Sequence, residues 1–125
     1  MAGADARRAA ERRGRRAETL ALWYLRAKGY RLLGSRYKTP VGEIDLIVSR
    51  GRTIAFVEVK ARPTDAEAAE AATPTGRRRV ARAASMWLAA HPAAAERTLR
   101  LDVIIAVPGR LPRHIKGAFD ADGAA

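Results

Sequence analysis

An α/β fold is what this sequence predicts, on three observations. Two stretches, Arg15 to Lys28 and Arg77 to Ala90, place apolar side chains at helical spacing. Between them, Gly42 to Arg62 holds two β-rich apolar runs around a Gly-bearing break, the signature of a hairpin. A further apolar run, Leu99 to Val107, follows the second helix and is closed by Pro108-Gly109.

In chain order, residues 1–14 carry arginines among alanines and are expected to form a flexible basic arm. The helix that follows repeats Ala17, Leu20, Ala21, Tyr24 and Leu25 on one side, with Gly29 as its C-cap. Glu18 lies in its first turns, where an acidic side chain suits the helix dipole. Tyr30 to Lys38 reads as a strand interrupted at Gly34 and basic enough to lie at a sheet edge. After Arg62-Pro63 comes a low-complexity stretch, Thr64 to Thr73, expected as a loop or a weak helix. Thr73-Pro74-Thr75-Gly76 then resembles a helix start, and the helix beyond it repeats Val80, Ala83, Ala84, Trp87 and Leu88 before ending at His91-Pro92. Arg113 to Lys116 is expected as a short edge strand. Residues 15–119 form one domain on this reading, with 120–125 a disordered tail.

The bulk composition narrows the partners. Across 125 residues the formal net charge is +11 and the pI about 11.3, which points to a polyanion, with nucleic acid ahead of membrane. There are no cysteines, so thiol catalysis, disulfides and cysteine zinc sites are excluded. No signal-peptide core and no run of about 20 apolar residues occurs, which leads to the expectation of a cytoplasmic protein without membrane contact. His91 and His114 are expected to be ordinary surface residues, not metal ligands.

The hairpin carries the chemistry. Glu43, Asp45, Glu58 and Lys60 are threaded through strands that are otherwise apolar at nearly every position. If Gly51-Arg52 makes a type II′ turn, Arg50 faces Thr53, Asp45 faces Glu58 and Glu43 faces Lys60, so all four charges share one side of the hairpin. Opposed carboxylates are destabilising and an unpaired buried one costs several kcal/mol. A hard, oxygen-ligated cation such as Mg²⁺, or Mn²⁺, removes both problems. At the start of the second helix, Arg77, Arg78, Arg79 and Arg82 oppose the helix dipole unless an anion such as phosphate sits nearby.

The order of helix with Glu18, then Gly42-Glu43-Ile44-Asp45-Leu46-Ile47, then Phe56-Val57-Glu58-Val59-Lys60-Ala61-Arg62, then Arg100-Leu101-Asp102-Val103-Ile104, resembles the YraN-like family of small bacterial proteins. That family in turn resembles the PD-(D/E)XK nucleases, including Holliday-junction resolvases. The resemblance runs from about Gly14 to Phe119. It implies a restriction-endonuclease-like fold, a central mixed sheet of four to five strands flanked by helices. It also implies catalytic roles for Asp45, Glu58, Lys60 and Glu18. Asp45, Glu58 and the Val59 carbonyl would hold a Mg²⁺ or Mn²⁺ ion, with Glu18 reaching it directly or through water, and Lys60 would orient or deprotonate the attacking water. Glu43 and Asp102 would support them. Arg77, Arg78, Arg79, Arg82, Arg15 and Arg16 would hold flanking phosphates. The sequence departs from the pattern with Ile44 where Pro would stand and with Gly76 where relatives often carry Lys.

The implied activity is hydrolysis of DNA phosphodiester bonds, with branched DNA as a structure-specific substrate and DNA ahead of RNA. The alternative is a non-catalytic DNA- or RNA-binding module of the same fold. By analogy with junction resolvases, a homodimer is expected.

Overall fold

The computed structural model describes residues 2–71 and 77–119. A long helix α1 (Ala2–Ala27) is followed by three consecutive strands, β1 (Arg31–Thr39), β2 (Gly42–Arg50) and β3 (Thr53–Ala61). Helices α2 (Asp65–Ala71) and α3 (Arg77–Ala90) and a 3₁₀ turn (Pro92–Glu96) lead to β4 (Thr98–Ala106) and β5 (Arg113–Phe119). The five strands form one mixed sheet in the order β1-β2-β3-β4-β5. Only β3 and β4 run parallel, joined by the crossover through α2 and α3, and the other neighbours are antiparallel. This is the flanked mixed sheet expected from the sequence.

The sheet separates two cores. On one face Ile47, Phe56, Leu101, Val103 and Ile105 pack against Val80, Ala81, Ala83, Ala84 and Trp87 of α3. On the other, Leu46, Val48, Ala55, Val57 and Ile104 pack against Ala21, Leu25 and Tyr30. Strands covered on both faces must be apolar at nearly every position, which is why the runs in β2, β3 and β4 look continuous.

Local chemistry explains the joints. Gly29, at φ 90°, closes α1: Tyr30 N–H donates to the Leu25 carbonyl at 3.0 Å and Gly29 N–H to Arg26 at 3.0 Å, the paired bonds of a Schellman cap. Gly51 takes φ 59° in the hairpin turn, and Arg50 faces Thr53 as parity requires. The strand break expected at Gly34 is a register shift between Leu32 and Gly34, and β1 lies at the sheet edge. Within the acidic stretch Asp65–Ala71 is a helix: the Thr64 hydroxyl accepts from Glu67 N–H at 3.2 Å, acidic Asp65 and Glu67 occupy the first turn, and Ala68 is buried in the α3-side core.

Two expectations need correction. The segment expected as a flexible arm is, over residues 2–14, the first half of α1, because Ala and Arg are strong helix formers and Gly14 in its interior costs only about 1 kcal/mol relative to Ala. The last strand extends past Lys116 to Phe119 along β4. Gly76 and residues 120–125 lie outside the described residues. Among the described residues no helix is long and apolar enough to cross a membrane.

One contact docks α3 onto the sheet. At Gly42 a Cβ would stand 2.2 Å from the Arg79 carbonyl oxygen, so the first turn of α3 can meet the start of β2 only over a glycine. Gly42→Ala should therefore lower stability by about 2 kcal/mol or more, since backbone and not a flexible side chain must move. At Gly34, where a Cβ would lie 3.8 Å from Ile47 Cδ1, the same substitution meets ordinary contact. Chemical denaturation of the two variants checks this, and equal midpoints would refute it.

Candidate active site

The β2–β3 ladder runs from Arg50–Thr53 to Leu46–Val57 and then ends. The facing pairs Asp45–Glu58 and Glu43–Lys60 expected from parity are not part of the ladder, and the first would oppose two carboxylates, which is destabilising. Instead the Asp45 side chain crosses the gap, and Val59 N–H donates to its Oδ2 at 2.7 Å. In an extended strand a residue's N–H and C=O project to the same side, so the Val59 carbonyl also turns toward this opening.

The N-terminal half of α1 lies over the parted strands and leaves a cleft on either side of Gly14. One, about 390 Å³, is lined by Glu11, Arg15, Glu18, Arg36, Lys38, Glu43 and Asp45. The other, about 450 Å³, is lined by Arg13, Glu58, Val59, Lys60 and Arg62. The four hairpin charges are thus divided, Glu43 and Asp45 on one side and Glu58 and Lys60 on the other, with Gly14 common to both clefts. A Cβ on Gly14 would meet nothing within 4 Å, so the position stands open above the site.

The electrostatics are unfavourable to the carboxylates. Burial pushes the Asp45 pKa up to about 6; the Val59 hydrogen bond opposes this, and the charges of Glu18, Glu58 and Glu43 add to it. Burial also raises the Glu58 pKa, against the attraction of Lys60 and Arg62. Glu58 Oε2 is buried and accepts no hydrogen bond. An acceptor oxygen left without a donor is costly in a folded protein and suits a site built for a cation. Among the described residues no three acidic or histidine side chains converge closely enough to cage an ion alone. A hard cation here would therefore keep several water ligands, as Mg²⁺ characteristically does.

The expected residues divide into three groups. Glu18 and Asp45, with Glu43 and Arg15, line the cleft on one side of Gly14, and Glu58, Val59 and Lys60 line the cleft on the other. Arg16 lines an apolar groove with Arg13, Leu20 and Pro108. Arg78, Arg79 and Arg82 are exposed on α3, across the sheet but at the end where β2 begins, as the Gly42–Arg79 contact fixes. The Arg77 side chain lies outside the described residues.

Asp102 lines neither cleft. It is fully buried in a separate network: Arg100 donates to both its oxygens at 2.8 and 2.9 Å, Gly117 N–H at 3.0 Å and His114 Nε2 at 2.8 Å. Burial pushes its pKa up, but these donors outweigh it and hold the carboxyl below its usual range. His114 is accordingly not a surface residue, its side chain being 2% exposed.

Sequence reasoning also missed Arg36. It lies between the pairs Ser35–Leu46 and Tyr37–Ile44, level with Asp45, and its Nε is 3.4 Å from Glu18 Oε1. Its φ of 49° is the left-handed region, which costs a non-glycine residue about 1–2 kcal/mol. Its place on a basic edge strand opposite Asp45 was the available signal.

Asp45 gives a pH prediction. Its folded pKa is raised from 3.8 to about 6, so the ionised carboxylate destabilises the fold above about pH 6, and the cost disappears as pH falls below 3.8. Asp45→Asn, which keeps an oxygen for Val59 N–H, should stabilise the protein at pH 7 by on the order of 2–3 kcal/mol, an advantage that fades toward pH 4. Denaturation across that range measures it, and a pH-independent difference would contradict the assignment.

The model of the Uncharacterised protein family UPF0102 matches residues 17–106. Among relatives, a UPF0102 protein of Methylorubrum extorquens is 56% identical over 117 residues, covering 94% of this chain and 91% of its own length. One from Methylocella silvestris is 52% identical over 122 residues, 98% of each chain, and one from Parvibaculum lavamentivorans is 54% identical over 111 residues, 89% of this chain and 84% of its own. The matched span carries the C-terminal part of α1, the parted hairpin, α3 and β4, and with these identities the chain belongs to the uncharacterised protein family UPF0102.

Proposed function

We propose that this protein is a metal-dependent endonuclease that hydrolyses phosphodiester bonds in DNA, with branched DNA as its substrate. The observation that carries the reading is the unpartnered, buried Glu58 Oε2 beside Lys60 in one cleft, with Asp45, which lines the other, reaching across the strand gap to Val59 N–H. The donor set fits a hard divalent cation: carboxylate oxygens of Asp45 and Glu58, the Val59 carbonyl, and Glu18 directly or through water. When bound, Mg²⁺ or Mn²⁺ supplies Lewis acidity that offsets charge developing on the phosphodiester oxygens.

The chain's own groups do the rest. Lys60, on the same strand face as Glu58, hydrogen-bonds the attacking water and orients it or takes its proton. Arg13, Arg36 and Arg62 stand at the cleft rims, where guanidinium groups hold phosphates on either side of the reacting one. Arg78, Arg79 and Arg82 extend this contact around the sheet end. These contacts read backbone and not sequence, so binding should fall steeply with salt. The net charge of +11 favours the same partner.

A non-catalytic DNA- or RNA-binding module is the second reading, favoured by the absence of three converged acidic groups among the described residues. Cleavage separates the two. With Mg²⁺ or Mn²⁺ the protein should cut branched or single-stranded DNA, and Asp45→Ala and Lys60→Ala should each reduce the rate by about 10²-fold or more. Both variants should still bind DNA in EDTA. Failure of the purified protein to cut any of these substrates with either ion would leave the binding module.

A further inference from the structure

We propose that the outward face of α1 is a track for single-stranded nucleic acid, with Trp23 as a base-stacking platform; as a description of the substrate's unpaired arm, this rests on the nuclease reading. At 3.6 residues per turn, Arg8, Arg12, Arg15, Arg16, Thr19, Trp23 and Arg26 fall within an arc of roughly 100°, opposite the buried stripe of Ala17, Ala21 and Leu25. All seven are exposed, and no acidic residue between Arg8 and Arg26 shares the arc: Glu11 and Glu18 lie on the flank that turns toward Asp45. None of these arginines forms an ion pair among the described residues. Trp23 is 62% exposed, and its ring lies 5.5 Å from the Arg26 guanidinium.

A bare indole among unpaired arginines is the combination that single-strand binders use, arginine for the backbone and an aromatic face for the base. Arg8, Arg12 and Arg16 follow one another about every 6 Å along the axis, nearly twice the 3.4 Å rise per strand of a duplex and suited to an extended strand. A duplex keeps its base faces stacked inside, so it leaves Trp23 nothing to stack on. A membrane surface fits less well. An interfacial helix needs a broad apolar face, and the apolar stripe of α1 is spent on the sheet, leaving Leu20 and Trp23. Arg15 belongs to the track and also lines the cleft beside Asp45, while Gly14 faces the sheet, so a strand lying on the track runs past the rim of that cleft.

The test uses Asp45→Asn protein in EDTA, which separates binding from cleavage. A twelve-nucleotide oligothymidine should quench tryptophan emission, since Trp23 is exposed while Trp87 is 6% exposed. Trp23→Ala should weaken binding of that oligonucleotide about 10-fold or more and change binding of a 12-base-pair duplex less than twofold. Arg12→Glu with Arg16→Glu should weaken single-strand binding and flatten its salt dependence. Unchanged oligothymidine affinity in Trp23→Ala overturns the track, as does preferential binding to anionic phosphatidylglycerol vesicles with blue-shifted emission. A stacking result in protein whose wild-type form cuts nothing would sink the nuclease reading and leave the track standing.

Discussion

The hydrogen bond from Val59 N–H to Asp45 Oδ2 is the constraint on which the rest of the site depends. β3 is a central strand, and each of its backbone donors must find a partner once buried. To open a cleft, β2 has to leave β3 after Leu46–Val57, which would strand the next donor facing that side. Asp45 resolves the conflict by replacing a backbone carbonyl with a carboxylate. The strands can then part without an orphaned N–H, and the carboxylate is held at the mouth of the gap. The same move takes Asp45 out of water and brings it within the field of Glu18, Glu43 and Glu58, which is why its pKa rises.

The covering helix is held at its far end. Past the Schellman turn, Lys28 Nζ reaches His114 Nδ1 at 2.7 Å, the Lys28 carbonyl accepts from Arg50, and Arg100 joins Tyr30 to Asp102. His114 thus donates through Nε2 to Asp102 and accepts through Nδ1 from Lys28, which fixes its tautomer. The buried Asp102 cluster ties β4, β5 and the end of α1 into one unit. A helix anchored there and packed through Ala17, Ala21 and Leu25 carries its N-terminal turns over the parted strands. Small side chains along that stripe bring it close to the sheet, and Gly14 keeps the space above the carboxylates open.

Much of this was legible in the residues, for physical reasons. Continuous apolar runs give double-sided burial, and Gly51 in a two-residue turn gives the register, so charges at Asp45, Glu58 and Lys60 stood out as anomalies with a shared cause. Parity failed where the ladder stops, since it assumes that pairing continues and cannot register that facing carboxylates repel. Arg36 was hidden because its orientation depends on a left-handed φ that a basic side chain does not advertise. The helical start of α1 is masked by its run of arginines, whose charge suggests an arm although Ala and Arg favour helix regardless of charge. His114 looked peripheral because its partner lies twelve residues away across an antiparallel pair.

Asp102 and Asp45 lie in the same sheet and meet the same problem with opposite results. Asp102 is wholly enclosed yet has its pKa lowered, because Arg100, His114 and Gly117 donate to both its oxygens. Asp45 and Glu58 are less deeply buried yet raised, and Glu58 Oε2 has no donor. A fold able to satisfy one carboxylate completely is not short of arginines with which to satisfy the others. Arg13, Arg36 and Arg62 stand around the clefts, and among the described residues only Glu18 forms an ion pair with one of them, at the long distance of 3.4 Å. Guanidinium groups held back at the rim and carboxylates left charge-hungry at the centre are the arrangement expected when the missing partners come from outside: a cation for the acids and a polyanion for the bases.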